Sequence, residues 1–199
     1  MSYILNHWPL TFVCAAMIVA AVIDGWKLKV PNWLTFPLVL SGWGLGLLHN
    51  FGLLESTGVG GIGASVTASL LGFALLFPVY AIGGMGAGDV KMQMGFGAWI
   101  GAFYGFGGYN GSPGALAIVW WAFALAVVIG GVMAFVMIVA RGRLRANIEN
   151  TREIVGDWLT AGSVGEVADR AAKRKSRLHL LPYGIPLCLG FVSYLLIWF

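Results

Sequence analysis

The chain has 199 residues, of which 59% are hydrophobic and only 10% are charged, and its formal net charge is +4. Soluble domains average about 25% charged residues, so this composition excludes an ordinary soluble domain and a disordered chain. Cys14 and Cys188 lie in apolar stretches and form no CxxC pair, which argues against a disulfide framework or a thiolate zinc site. The composition instead predicts an integral membrane protein.

Long uncharged stretches predict six transmembrane helices, because about 20 apolar residues are needed to cross the hydrocarbon core. In chain order the predicted helices cover residues 8–24, 34–51, 59–82, 90–104, 115–140 and 180–198. The longest uncharged stretch, 92–140, is divided into two helices by the turn-rich segment 104–114. We therefore expect an all-α polytopic membrane protein in which residues 1–199 form a single domain.

The positive charges orient this predicted bundle. Six helices place all twelve Lys and Arg residues on one face, in loops at 24–33, 83–91 and 141–179. Lys and Arg accumulate on the cytoplasmic side, so we expect both termini outside the cytoplasm and a multi-pass protein of the cytoplasmic (inner) membrane.

The last of these loops is long and basic. Arg141–Arg177 carries nine basic and five acidic residues. This pattern is typical either of an amphipathic helix lying on anionic membrane lipids or of a solvated linker. Its charge therefore needs no nucleic-acid partner.

Two aspartates lie at the cytoplasmic ends of predicted helices. Asp24 closes the first helix, where a carboxylate opposes the helix dipole, and Asp89 lies in the glycine-rich segment Gly83–Lys91. An ionisable group at membrane depth is costly and suggests function. Two other interpretations stay open: Asp24 is a solvated residue paired with Lys27 or Lys29, and Asp89 only caps the next helix.

The similar depth of the two aspartates would let them meet when the helices pack. Two carboxylates held close together in a low dielectric share one proton, which is the arrangement of aspartic proteases. Such a pair hydrolyses a peptide bond with water and needs no metal or cofactor. His7, His49 and His179 are far apart in the predicted topology, so no metal site is expected.

Three ordered sequence blocks resemble those of the type IV prepilin leader peptidases, which are membrane aspartic proteases with a Gly-x-Gly-Asp signature. The blocks are Asp24 with Pro31-Asn32-Trp33-Leu34-Thr35, Gly86-Ala87-Gly88-Asp89-Val90-Lys91, and Pro182-Tyr183-Gly184-Ile185-Pro186. The resemblance implies that Asp24 and Asp89 are catalytic. It also implies that the site is shaped by Gly86, Gly88, Lys91, Pro31, Asn32, Thr35, Pro182 and Gly184.

The same resemblance implies a substrate. It would be a prepilin or pseudopilin whose short basic leader is removed at the cytoplasmic membrane face, with pilus or secretion assembly machinery as a candidate partner. Many members carry a methyltransferase domain with paired CxxC motifs. This sequence lacks those motifs and is similar to the short members, so S-adenosylmethionine is not expected.

Two alternatives to this function remain. One is an intramembrane protease of the presenilin or signal-peptide-peptidase type, which would cut deeper in the bilayer. The other is a non-enzymatic transporter or assembly protein, in which paired carboxylates bind a proton or a cation. The position of the cut separates the two proteases, and proteolysis by the purified protein would exclude the transporter.

Overall fold

A computed structural model describes residues 8–53, 59–81, 84–109, 111–140, 152, 156, 160 and 182–198. The described residues form six long α-helices and no β-strand, as the all-α prediction requires. In chain order the helices are α1 (Trp8–Lys27), α2 (Asn32–Asn50), α3 (Ile62–Ala81), α4 (Ala87–Tyr104), α5 (Ala115–Ala140) and α6 (Gly184–Trp198).

Three of these helices, α1, α3 and α5, are long and apolar enough to cross a membrane. Helix α6 is apolar but shorter. Helix α4 has 18 residues and carries three strongly polar side chains, Asp89, Lys91 and Gln93. The prediction that all six helices span the membrane therefore goes beyond what length and composition show.

Helix α4 is the centre of the bundle. Fourteen of its 18 residues are buried, and it contacts α1, α2, α3 and α5. Helix α5 is peripheral by contrast, with five buried residues among 26 and with Trp120, Trp121 and Phe135 exposed. Exposed aromatic and aliphatic side chains of this kind suit a lipid-facing surface.

Small residues let α3 and α4 pack backbone to backbone. A Cβ added at Gly97 or Gly101 would collide with the carbonyl oxygen of Ala68 or Ala64, respectively, on α3. Close contact of this kind is how small residues join helices in membranes, where no water is available to drive apolar side chains together. This close packing holds α4 against α3 along most of the length of α4.

Helix α6 closes the bundle against α1, α4 and α5. The rings of Phe191 on α6 and Phe96 on α4 meet with centroids 4.0 Å apart and planes at 67°. Gly190 lies so close to Ala126 that an added Cβ would collide with the α5 backbone. These contacts bring the first residues of α6 over the last turn of α1.

The long basic loop predicted at 141–179 falls almost entirely outside the described residues. Only Arg152, Gly156 and Thr160 of this loop are described, and all three are helical. Residues 1–7 and 199 also lie outside the described part, so the expected positions of the two termini stay predictions.

Candidate active site

Asp24 is buried in the last turn of α1, with 2% of its surface exposed. Its Oδ2 accepts a 2.8 Å hydrogen bond from the backbone N–H of Gly184, the first residue of α6. The C-terminus of α1 is unfavourable for a carboxylate, but the N-terminus of α6 supplies the opposite end of a helix dipole. Because Lys27 and Lys29 are exposed while Asp24 is buried, a solvated interfacial role for Asp24 does not fit.

Asp89 lies in the first turn of α4, and 5% of its surface is exposed. The predicted start of this helix at residue 90 is three residues late, because Gly86 is extended and the helix begins directly after it at Ala87. The Gly86 N–H donates to Asp89 Oδ2 at 3.2 Å, and the Asp89 N–H donates to the Gly86 carbonyl oxygen at 3.2 Å. Asp89 therefore does support the helix start, as the capping interpretation holds, and it is buried there.

The turn before α6 contacts Asp24 and lies within the electrostatic influence of Asp89. The negative charge of Asp89 adds to burial, which is the larger cause, in raising the pKa of the Tyr183 phenol. The next residue, Gly184, donates to Asp24. Asp24 and Asp89 lie at the same end of the bundle, because Gly184 donates to Asp24 and the chain that follows α1 packs at Val30 on Gly88, next to Asp89.

The turn itself is tightly held. The Pro182 carbonyl oxygen accepts from the Ile185 N–H at 3.2 Å, and the Tyr183 carbonyl oxygen accepts from the Leu187 N–H at 3.2 Å. A Cβ on Gly184 would lie 3.0 Å from both Cβ and Oδ2 of Asp24, so glycine is the residue that lets this backbone reach the carboxylate.

Gly88 lets the chain between α1 and α2 pack on the first turn of α4. A Cβ added there would lie 2.5 Å from the carbonyl oxygen of Val30, which is itself buried. Gly86 differs, because a Cβ there would first meet Asp89 Oδ2 at 3.4 Å, an ordinary contact. Within the glycine-rich segment, the close backbone approach is therefore at Gly88 and not at Gly86.

Lys91 joins the first turns of α4 and α2. Its Nζ donates to Asn32 Oδ1 at 3.0 Å and lies 4.4 Å from the centre of the Phe36 ring. Pro31 is extended and precedes α2, where its carbonyl oxygen accepts from the Thr35 N–H at 3.3 Å. The Thr35 hydroxyl is fully buried and finds no hydrogen-bond partner among the described residues.

Comparison with protein families matches residues 11–139 to the type IV leader peptidase family. The match covers more than half of the chain and includes both Asp24 and Asp89. This chain belongs to the type IV leader peptidase family. Membership indicates a membrane-associated peptidase and agrees with the resemblance carried by the first two sequence blocks. Comparisons with curated proteins and with solved structures gave no match.

The third block of this leader peptidase lies beyond the matched residues, yet the structure joins it to the other two. Gly184 contacts Asp24 directly, and Pro182 fixes the turn that carries it. Sequence reasoning did not select Tyr183, although it lies inside this block. The signal that could have selected it is a tyrosine between a proline and a glycine just before a predicted helix.

No metal centre forms among the described residues, which contain no group of three or more His, Cys, Asp or Glu side chains able to hold an ion. The ten residues predicted for the site all belong to the described part of the chain. They gather at the end of the bundle formed by the C-terminus of α1 and the N-termini of α2, α4 and α6.

Proposed function

We propose that this leader peptidase is an aspartic endopeptidase that removes the short basic leader of prepilin or pseudopilin substrates, with Asp24 and Asp89 as its catalytic pair. The observation that carries this proposal is the shared turn. Two buried carboxylates, 65 residues apart in sequence, border adjacent residues Tyr183 and Gly184. Two buried carboxylates at the same end of a helical bundle suit a pair that shares a proton.

The chemistry of such a pair uses only water. The ionised carboxylate takes a proton from a water molecule, whose oxygen attacks the amide carbon. The protonated carboxyl donates its proton to the carbonyl oxygen, which leaves a tetrahedral intermediate. Collapse of this intermediate breaks the C–N bond as the leaving nitrogen takes up the proton that the first carboxylate removed from water. The second carboxylate regains its proton from the hydroxyl group that becomes the carbonyl of the carboxylic acid product. No step of this reaction uses a metal or another cofactor.

Two features of the site support these roles. Backbone N–H groups at the N-termini of α4 and α6 each donate to one carboxylate, and they can stabilise the single negative charge wherever it lies. Burial keeps the pKa of the Tyr183 phenol above its usual value, so at neutral pH the phenol stays protonated and can donate a hydrogen bond beside Asp89.

The proposed topology is six transmembrane helices with both termini outside the cytoplasm, in the cytoplasmic (inner) membrane. Lys27, Lys29 and Lys91 belong to the same end of the bundle as Asp24 and Asp89. Because Lys and Arg prefer the cytoplasmic side, this end faces the cytoplasm, where the leader of a membrane-inserted prepilin would lie. Membrane lipids surround the bundle, and pilus or secretion assembly machinery is the proposed wider partner.

The test is cleavage of a prepilin-like substrate by the purified protein in liposomes. Asp24→Asn and Asp89→Asn keep the size of the side chain, and each is expected to lower kcat by about 100- to 10,000-fold. Glu55→Gln removes the same charge from the one other acidic residue outside Arg141–Arg177 and is the matched control. Full activity in either Asp variant would show that Asp24 and Asp89 do not act as a catalytic pair.

Two further measurements separate the alternatives. Cleavage after the leader supports a leader peptidase, whereas cleavage within the apolar segment supports a presenilin-like protease. Retention of activity in EDTA is expected for the metal-free mechanism, and its loss would contradict that mechanism.

A further inference from the structure

An apolar cavity of about 280 Å³ lies between α3, α5 and α6. Its walls carry no charged side chain, and they include Leu76, Val79, Phe123, Val127 and Leu187. Val127 is 55% exposed, so the cavity reaches the outer surface of the bundle where lipid would lie. An apolar cavity of about 150 Å³ can hold a benzene molecule, so this one has room for a large apolar side chain and part of a second.

One wall of the cavity belongs to the segments that hold the aspartates. Tyr183 lines the cavity and responds to the charge of Asp89. Pro186 also lines it, two residues after Gly184, and so does Met85, which precedes Gly86. The cavity therefore shares a wall with the two segments whose backbone N–H groups donate to Asp24 and Asp89.

The chemistry of the walls decides which part of a substrate fits. A basic leader is excluded, because a Lys or Arg side chain buried among these residues would have no partner for its charge. The residues that follow the cut are different, since in the proposed substrates they begin an apolar helix. We propose that this cavity receives the first apolar side chains after the cleaved bond, and that Gly131 sets the largest side chain accepted. This inference rests on the proposed function.

Gly131 is suited to that role because of its surroundings. A Cβ added at Gly131 meets nothing within 4 Å, whereas a Cβ at the neighbouring Gly130 would lie 3.3 Å from Pro186. Helices α5 and α6 approach closely at Ala126 and Gly190 and again at Gly130 and Pro186, whereas Gly131 has open space around it. Gly131 lines the cavity and is exposed, so a side chain introduced there has open space around its Cβ and can extend into the mouth of the cavity.

The test compares two substrates that differ at the first position after the cut, one with Phe and one with Ala. The wild type is expected to cleave both. Gly131→Phe is expected to lose about 10- to 200-fold in kcat/KM for the Phe substrate and to keep its activity on the Ala substrate. Val132→Phe is the matched control, because Val132 is exposed and does not line the cavity, and it should leave both substrates unaffected.

Each other outcome contradicts either this inference alone or the proposed function as well. If the wild type cleaves both substrates but a Gly131→Phe variant that unfolds at the wild-type temperature shows no preference, or loses both activities equally, the cavity is not the binding site and the proposed function stands. If the wild type cleaves neither substrate, the proposed function fails and this inference fails with it.

A second measurement keeps the inference testable if Gly131→Phe does not fold. A photoreactive phenylalanine placed at Val127, in an Asp24→Asn background that cannot cut, is expected to crosslink to the residues after the cleavage site. Crosslinks confined to the leader, to lipid, or to residues 141–181 of this chain would overturn the assignment.

Discussion

Replacing Gly184 with alanine tests whether Asp24 depends on the first turn of α6. The new Cβ would lie 3.0 Å from the Cβ and Oδ2 atoms of Asp24, and ordinary contact begins at 3.4 Å, so the carboxylate or the turn must shift by a few tenths of an ångström. The hydrogen bond from the Gly184 N–H to Oδ2 is now 2.8 Å long. A shift of that size stretches it towards the limit of about 3.2 Å for such bonds.

The expected magnitude follows from the charge on the acceptor. A hydrogen bond to a charged group contributes about 1.5–3 kcal/mol, and weakening it by about half would cost about 0.75–1.5 kcal/mol. If Asp24 is catalytic, a loss of this size in the transition state lowers kcat/KM by about 4- to 12-fold. Cleavage of a prepilin-like substrate in liposomes measures this, and thermal unfolding in detergent shows whether the fold survives.

The matched control for Gly184→Ala is Gly63→Ala near the start of α3. A Cβ there meets nothing within 4 Å, so the same change of residue type introduces no contact. We expect Gly63→Ala to keep full activity. If Gly184→Ala also kept full activity, the reasoning that the α6 N-terminus positions Asp24 would be refuted.

Two further predictions concern the first turn of α4. Gly88→Ala is expected to lower the free energy of unfolding by about 1–3 kcal/mol because its Cβ would collide with the Val30 carbonyl, whereas Gly86→Ala has room and should unfold like the wild type. Equal unfolding temperatures for these two variants would contradict the close packing of Gly88 against the Val30 carbonyl. Lys91→Met removes the hydrogen bond and the cation–π contact to the first turn of α2, so we expect a loss of about 1 kcal/mol. Lys29→Met, at an exposed position, is its control and should cost nothing measurable in the same melts.

The helices were largely predictable because charge and turn residues mark their ends. The predicted helix 115–140 begins where α5 begins, at Ala115, since a turn-rich segment precedes it. The start of α4 was predicted three residues late, because a glycine-rich segment suggests a turn. The backbone is extended at Gly86 and helical from Ala87, and this places Asp89 inside the helix rather than before it.

The site was predictable only in part, because its residue types are visible in the sequence but some of its contacts join residues far apart in the chain. Asp24 and Asp89 could be selected because carboxylates are rare in so apolar a chain. The donor to Asp24 could not be derived from local pattern, because Gly184 is 160 residues away and reaches Asp24 only through the packing of α6. The cavity beside Tyr183 depends likewise on how far α5 and α6 separate, which hydrophobic periodicity does not determine.

The two carboxylates are therefore supported in different ways. Asp89 is stabilised by the helix that contains it, through the Gly86 N–H three residues earlier. Asp24 stands at the unfavourable end of its own helix and is stabilised by the start of another. Loss of α6 would leave Asp89 with its donor and would leave Asp24 without one. The residues matched to the family end at 139, so the part of the chain that completes the Asp24 site lies outside them. Docking of α6 therefore supplies the hydrogen-bond donor that offsets the unfavourable position of the Asp24 carboxylate at the end of α1.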